Sequence, residues 1–133
     1  MLGLLFNRHK LLSDAKRLGR WGEKQGERFL RRKGLRTLTR NFNCKTGELD
    51  LVMADPENGA VVFIEVKTRA NEDFTSAESA VTYGKRKKMA SAARIFTLKY
   101  KIENRPLRFD VVAIVLGPKG PPTIRHYQRA FVP

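Results

Sequence analysis

Two apolar runs within residues 47–69 dominate the hydrophobic pattern of this chain. The runs 47–54 and 60–69 flank the sequence Asp-Pro-Glu-Asn-Gly, which is rich in turn-forming residues. Two apolar runs separated by such a turn predict a β-hairpin. Because both runs are close to continuously apolar, we expect strands that are covered on both faces of a sheet.

Charged residues interrupt both runs of this hairpin. Asp50 lies within the first run, and Glu65 and Lys67 lie within the second. With the turn centred between Glu57 and Asn58, Asp50 is opposite Glu65. Two facing carboxylates repel one another, and burying either charge without a partner is costly. A bound divalent cation beside Lys67 removes this cost, so the hairpin predicts a metal site.

The rest of the apolar pattern predicts two helices. The first runs from an N-cap at Ser13 to Lys33, and Gly34 ends it in the left-handed conformation. The second runs from about Lys85 to Tyr100. The side of the first helix that faces the protein is predicted to contain Leu18, Trp21, Gly22, Gln25, Gly26, Phe29 and Leu30, and the apolar stripe of the second Met89, Ala92, Ala93 and Phe96.

Further strands are predicted at 35–44, 107–116 and 123–131. We expect residues 1–12 to form a short N-terminal arm or an extra turn of helix, and residues 13–133 to form a single domain. The loop 68–76 follows the second hairpin strand directly, which makes it a natural place for substrate contact. Arg108 and Asp110 share one face of their strand and are predicted to form a local ion pair.

The two acidic residues of the first helix are not equivalent. At 100° per residue, Glu23 lies beside Leu30 at the rim of the apolar side, whereas Glu27 lies nearer the basic face. Glu27 can pair with Arg31 one turn later. We therefore favour Glu23 as the functional acid and interpret Glu27 as structural.

Carboxylate oxygens select hard cations, so the hairpin predicts Mg²⁺ or Mn²⁺. The predicted ligands are Asp50, Glu65 and the backbone carbonyl of Val66, with Lys67 beside the ion. Glu23 would hold a second ion or its waters. This set provides what metal-assisted phosphodiester hydrolysis needs. The structural alternative is that Lys67 simply neutralises the two acids.

The charge of the chain indicates a polyanionic partner. The 133 residues contain 27 Lys and Arg against 13 Asp and Glu, a formal net charge of +14. This balance favours nucleic acid over an anionic membrane surface. No apolar run is long enough to span a bilayer, and the start of the chain does not resemble a signal peptide.

The cysteine and histidine contents exclude several kinds of site. A single cysteine, Cys44, excludes an internal disulfide framework and cysteine-rich zinc sites, and it suits the cytoplasm. His9 and His126 are too few for a histidine-built metal centre, and we interpret both as surface or packing residues.

The hairpin residues resemble the signature of the PD-(D/E)XK nuclease superfamily. The wider pattern resembles the YraN-type family of predicted endonucleases, which is related to archaeal Holliday-junction resolvases. This resemblance implies an α/β fold with a restriction-endonuclease-like core, a central mixed β-sheet flanked by helices in the order αβββαβ. It implies a site of Glu23, Asp50, Glu65 and Lys67. The matching segments are Gly22-Glu23, Gly47–Leu51, Phe63–Arg69, Lys85 and Arg108–Val112.

The leading hypothesis is a Mg²⁺-dependent endonuclease that acts on DNA, including branched or otherwise structured DNA. Phosphates would be held by Arg69, Lys85, Arg17, Arg20 and Arg28. A homodimer is expected by analogy with the resolvases only. The alternatives are a non-catalytic nucleic-acid-binding protein that keeps the nuclease fold, and a basic RNA-associated protein that uses charge alone.

Overall fold

The computed structural model describes residues 2–73 and 76–132, with the backbone only for residues 2–7. Met1 of the predicted arm, and Phe74 and Thr75 of the predicted substrate loop, lie outside the described residues. The elements in chain order are α1 (Leu2–Ser13), α2 (Ala15–Arg32), β1 (Arg36–Cys44), β2 (Gly47–Asp55), β3 (Ala60–Arg69), a 3₁₀ turn (Glu78–Ala80), α3 (Tyr83–Lys99), β4 (Leu107–Val115) and β5 (Thr123–Phe131).

The strands form one mixed sheet in the order β1-β2-β3-β4-β5. Neighbouring strands are antiparallel except β3 and β4, which are parallel. The crossover between these two carries α3, as a parallel pair requires. The predicted α/β class, with a mixed central sheet and flanking helices, is therefore confirmed.

Each face of the sheet has its own helix and its own core. Phe63 and Val111 pack on one face against the predicted stripe of α3, all four residues of which are buried. On the other face Leu30 of α2 packs against Val62 and Ile64. The buried residues of α2 lie at Leu18, Gly22, Gly26 and Leu30, as its apolar period predicted.

The N-cap of the first predicted helix differs from the expectation. The segment before it forms helix α1, and Leu11 of this helix is buried against Leu18 and Leu116. Ser13 still belongs to α1 and donates a hydrogen bond from Oγ to the carbonyl of His9 (2.9 Å). The N-cap of α2 is instead Asp14, which has an extended backbone and accepts hydrogen bonds from two amides of the first turn. The C-terminal end agrees with prediction, because Gly34 follows α2 with a φ of 102°.

The predicted ion pair of Arg108 and Asp110 is part of a buried polar network. Arg108 Nε lies 3.1 Å from Asp110 Oδ1, and Arg108 Nη1 lies 3.0 Å from Asp55 Oδ2. His126 Nε2 lies 2.8 Å from Asp110 Oδ2, and its Nδ1 lies 2.8 Å from Lys33 Nζ. Since an ammonium group only donates, Nδ1 accepts and Nε2 carries the proton toward Asp110. His126 is thus a packing residue, as expected.

Among residues 2–73 and 76–132, no helix combines the length and the apolar composition needed to cross a membrane.

Candidate active site

The candidate site lies where the ladder between β2 and β3 ends. The register pairs Leu51 with Ile64 and continues to Asp55 with Ala60, which agrees with the predicted centre of the turn. Beyond Ile64, β3 continues to Arg69 alongside β4 only. At this opening the Val66 amide donates a hydrogen bond to Asp50 Oδ2 (2.8 Å) instead of to a strand carbonyl. The Asp50 side chain therefore takes the place of the backbone hydrogen-bond partner that the next residue pair of the ladder would provide.

The strands are irregular at Asp50, which explains how its side chain reaches β3. Leu49 and Val52 belong to the same core, although three positions of regular strand would place them on opposite faces. Leu51 lies in the core on the other face. Asn41 of β1, opposite Asp50, has a φ of 50°. With this irregularity, the Asp50 carboxylate lies at the end of the ladder, where it accepts the hydrogen bond from Val66.

Glu65 lies between two lysines in the interior. Its side chain is only 3% exposed, and Lys67 Nζ lies 3.1 Å from Oε2. Lys85 Nζ lies 3.6 Å from Oε1, and Oε1 is a buried atom without a hydrogen-bond partner. A buried carboxylate oxygen normally has such a partner. This oxygen is consequently available to a ligand that enters the site.

The three predicted acids line the same cavity. Glu23, Asp50 and Glu65 are close enough to influence one another's charge. Burial, reinforced by the charge of Asp50, raises the pKa of Glu65 to about 7 despite both lysines. Burial also raises the pKa of Asp50 and of Glu23, and neighbouring carboxylates add to each rise. The protein thus holds an excess of negative charge here that its own lysines do not balance.

Glu27 is placed differently from Glu23, as the helical geometry predicted. It accepts a hydrogen bond from Thr37 Oγ1 (2.5 Å) and one from Arg40 Nε (2.8 Å). Burial alone would raise its pKa, but these hydrogen bonds hold it below the usual range. Glu27 therefore fastens α2 to β1 and has its charge neutralised, whereas Glu23 reaches the other acids.

A cavity of about 560 Å³ contains the site. Its lining includes Val66, Arg69 and Lys85 in addition to the four predicted catalytic residues. The three other predicted phosphate-binding residues, Arg17, Arg20 and Arg28, are exposed on α2 outside this cavity. The structure therefore brings together the predicted catalytic set and places those arginines on an outer surface.

Sequence comparisons connect the chain with a known family. The model of the Uncharacterised protein family UPF0102 matches residues 22–114. The chain belongs to the UPF0102 family. A UPF0102 protein of Pelobacter propionicus is 38% identical over 118 residues, which cover 89% of this chain and 84% of that protein. A UPF0102 protein of Pseudomonas putida is 46% identical over 97 residues, which cover 72% of this chain and 77% of that protein.

The segment matched to the UPF0102 family begins at a glycine that sets the position of Glu23. A Cβ added at Gly22 would lie 1.8 Å from Thr68 Oγ1, so only glycine allows α2 to pack this closely on β3. Thr68 is buried, and its Oγ1 has no hydrogen-bond partner. Because Glu23 is the next residue, this contact determines how far its carboxylate reaches over the site.

We expect Gly22→Ala to reduce the free energy of unfolding by about 1–3 kcal/mol, because the added methyl group overpacks the contact between helix and strand. Gly19→Ala is the matched control, since a Cβ there meets nothing within 4 Å. This control should be neutral or stabilising by up to about 1 kcal/mol through helix propensity. Urea denaturation of both variants measures the difference. Equal stabilities would show that α2 does not depend on this contact.

Glu48 is a residue of the UPF0102 site to which the sequence patterns assign no role. Its Oε1 lies 3.7 Å from Lys85 Nζ, and its side chain is 61% exposed. The partner comes from α3, far away in sequence, so only its position two residues before Asp50 could have drawn attention to it. Lys85 was expected to bind phosphate. The structure pairs it with Glu48 and Glu65, at the site but engaged with carboxylates.

The donor set in this UPF0102 chain is suitable for a hard divalent cation. No group of three or more His, Cys, Asp and Glu side chains within 2–73 and 76–132 is placed so that it could hold a metal ion. Mg²⁺ at phosphoryl-transfer sites is, however, commonly bound by one or two carboxylates together with waters and substrate phosphate. Asp50 and Glu65 match that pattern, and the unpartnered Oε1 of Glu65 supplies a free oxygen. The residues present thus fit Mg²⁺ or Mn²⁺.

Proposed function

We propose that this protein is a metal-dependent endonuclease that hydrolyses phosphodiester bonds in DNA. One observation carries the proposal: carboxylates of two adjacent strands, Asp50 and Glu65, line one cavity with Lys67 Nζ 3.1 Å from Glu65. The order α2-β1-β2-β3-α3-β4 around this site supports a restriction-endonuclease-like core of the PD-(D/E)XK superfamily. The unbalanced negative charge favours catalysis over a stabilising role, because unpaired buried charge is seldom retained for stability.

Asp50, Glu65 and the Val66 carbonyl would hold the Mg²⁺ or Mn²⁺ ion. When bound, the ion supplies a more acidic water and stabilises charge on the phosphoryl group. The protein itself would position the carboxylate ligands and exclude bulk water from them. The Val66 amide fixes the Asp50 carboxylate, and the burial of Glu65 keeps its oxygens in a low-dielectric environment.

Lys67 and Glu23 would act on the phosphate and on the proton of the attacking water, respectively. The Lys67 ammonium group lies beside Glu65 in the cavity, where it would stabilise negative charge that develops on the phosphate oxygens. Burial raises the pKa of Glu23, so its carboxylate can accept a proton more readily than an exposed glutamate. Hydrolysis forms a bond between the water oxygen and phosphorus and breaks the bond between phosphorus and the leaving deoxyribose oxygen. The proton that the water gives up is returned to that leaving oxygen.

The net charge of +14 supports DNA as the substrate. Arg69 lies in the cavity, where it would meet the phosphate next to the cleaved bond. Arg17, Arg20 and Arg28 are exposed on α2 and would contact phosphates further along the strand. Lys85 would contribute as well, in competition with its two carboxylate partners. A homodimer remains a proposal by analogy.

The direct test compares the wild type with Asp50→Asn on labelled duplex, single-stranded, flapped and four-way DNA, with and without Mg²⁺ or Mn²⁺. We expect cleavage that requires the metal and is lost in the variant. Cleavage by both proteins alike would indicate a contaminant and would contradict the assignment. Metal-independent binding without cleavage would support the non-catalytic alternative.

Glu23→Gln should reduce turnover more than Glu27→Gln does, because Glu23 lines the cavity with Asp50 whereas Glu27 lies outside it and pairs with Arg40. The two substitutions remove one charge each from the same helix, so they affect the overall attraction of DNA equally. Initial rates at saturating DNA measure the effect on turnover. The reverse order of the two variants would show that Glu27 is the functional acid.

A further inference from the structure

The wall of the cavity beside the carboxylates is mostly apolar. Leu12, Ala15, Leu18 and Gly19, at the junction of α1 and α2, form one side together with Ser13, and Ala70 continues it after β3. Ser13 already donates its hydroxyl to the carbonyl of His9, and the other side chains give a phosphate no hydrogen-bond donor. Most of the wall precedes Gly22, so it lies before the segment matched to the family model.

The depth of the site limits how a phosphate reaches it. Glu65 is 3% exposed, so a phosphate must enter the cavity to approach its carboxylate. A nucleotide paired within a duplex keeps its base in the stack and its backbone on the outside of a wide, stiff double helix. If such a backbone entered, the apolar wall would lie against sugars and charged phosphates. These phosphates would lose their water without gaining hydrogen bonds, which is costly.

An unpaired nucleotide would complement both the charged side and the apolar side of the cavity. Its phosphate would lie beside Lys67 and Arg69, which line the cavity, while its base would turn away from the strand and pack on the apolar wall. Enzymes that do chemistry on a base in a pocket likewise bind the nucleotide single-stranded or extruded from the stack. A volume of about 560 Å³ lies within the ordinary range for small-ligand pockets.

We infer that the cavity binds one unpaired nucleotide next to the scissile phosphate, with its base against the wall formed by Leu12, Ala15, Leu18, Gly19 and Ala70. The substrate class is DNA that is single-stranded at the point of cleavage, as in a flap or an unpaired branch. The inference rests on the proposed nuclease function and narrows its substrate.

Two helical glycines provide a matched test. An added Cβ meets nothing within 4 Å at Gly19 in α2 or at Gly84 in α3, so Leu at either position is compatible with the fold. Gly19 lines the cavity, whereas Gly84 does not. Circular dichroism and thermal melting should show both Gly19→Leu and Gly84→Leu folded, with melting temperatures at or above that of the wild type.

The activity assay uses one labelled sequence as a single strand, as a flap and as a complete duplex, in Mg²⁺. We expect the wild type and Gly84→Leu to prefer the unpaired forms. In Gly19→Leu the ratio of unpaired to duplex cleavage should fall by roughly tenfold or more, since its side chain occupies space meant for the base. If the wild type cleaves duplex as fast as single strands and Gly19→Leu leaves that ratio unchanged, the inference is overturned while the nuclease function stands.

A binding assay gives a second readout that does not need catalysis. A single strand containing one 2-aminopurine is titrated with each protein in EDTA. Fluorescence should rise with the wild type and Gly84→Leu, as the base leaves its stacked neighbours, and should not rise with Gly19→Leu. An absence of cleavage with every DNA contradicts the nuclease function; if the three proteins then also give equal 2-aminopurine signals, the base-binding inference fails as well.

Discussion

The Glu65→Gln variant is expected to be more stable than the wild-type protein at pH 8 without divalent cations, and to have lost cleavage of DNA. Burial and the charge of Asp50 raise the pKa of Glu65 from its ordinary value of 4.5 to about 7. A carboxyl group with a raised pKa in the folded state contributes stability that is complete below pH 4.5 and is lost as the pH rises through 7. Glutamine resembles the protonated acid, so it should restore this stability.

The expected gain in the free energy of unfolding follows from the rise in the pKa of Glu65. One pKa unit corresponds to about 1.4 kcal/mol, so after allowance for the loss of the lysine contacts we expect on the order of 1–3 kcal/mol at pH 8 and little difference at pH 4. Urea denaturation in EDTA at the two pH values measures it. Cleavage should fall by at least about a hundredfold, since changes around metal ligands alone cost up to that much.

Glu27→Gln is the control for this experiment. The pKa of Glu27 is lowered overall, so its ionised form stabilises the fold, and its replacement should cost stability at pH 8. Opposite changes in stability, a gain for Glu65→Gln and a loss for Glu27→Gln, would show that the charge of Glu65 serves function and that of Glu27 serves structure. A Glu65→Gln protein less stable than the wild type at pH 8 would mean that the two lysines stabilise Glu65 sufficiently without a metal.

Asp110→Ala should produce the largest loss of stability, about 3–5 kcal/mol, because it removes the fully buried carboxylate that pairs with Arg108 and His126 and leaves Arg108 with Asp55 alone. Asp110 is 0% exposed and accepts hydrogen bonds from Arg108, from His126 and from the amide of Arg129. Burial opposes ionisation, but these hydrogen bonds hold the pKa of Asp110 below its ordinary value. The contribution of ionised Asp110 to stability is therefore present above the ordinary pKa of an aspartate and is lost as the pH falls below it.

Asp55→Ala is the matched control for the buried network. It removes one contact of Arg108 at 3.0 Å and leaves the contact with Asp110 intact. We expect a clearly smaller loss, measured by urea denaturation at pH 7. If both variants lose less than about 1 kcal/mol, the network does not stabilise the junction of β4 and β5. Either variant that remains folded should retain cleavage, because both residues lie outside the site cavity.

The sheet and the site could be predicted from the sequence where the information is local. The turn residues predicted the register that pairs Leu51 with Ile64. That register places Asp50 and Glu65 at the same end of the ladder, as the expected pairing of the two residues required. The 3.6-residue period likewise determined which residues of α3 are buried, and it separated Glu23 from Glu27.

The features that were not predicted depend on contacts between distant segments. Helix α1 is held by Leu11 against Leu18 and Leu116 and by a hydrogen bond from Arg8 to the carbonyl of Gly120, none of which leaves a periodic signal. The ladder between β2 and β3 ends beside Asp50, where the neighbouring Asn41 of β1 has a φ of 50° in no recognisable turn sequence. The pairing of Glu48 with Lys85 needs α3 in place.

The most direct test of the account is the binding of Mn²⁺ to the folded protein without DNA, followed by electron paramagnetic resonance or calorimetry near pH 8. The account predicts that the wild type and Glu27→Gln bind Mn²⁺ with similar affinity, and that Asp50→Asn and Glu65→Gln each bind it at least about tenfold more weakly. Equal affinity in all four proteins, or no binding by the wild type, would contradict the claim that Asp50 and Glu65 form one metal site.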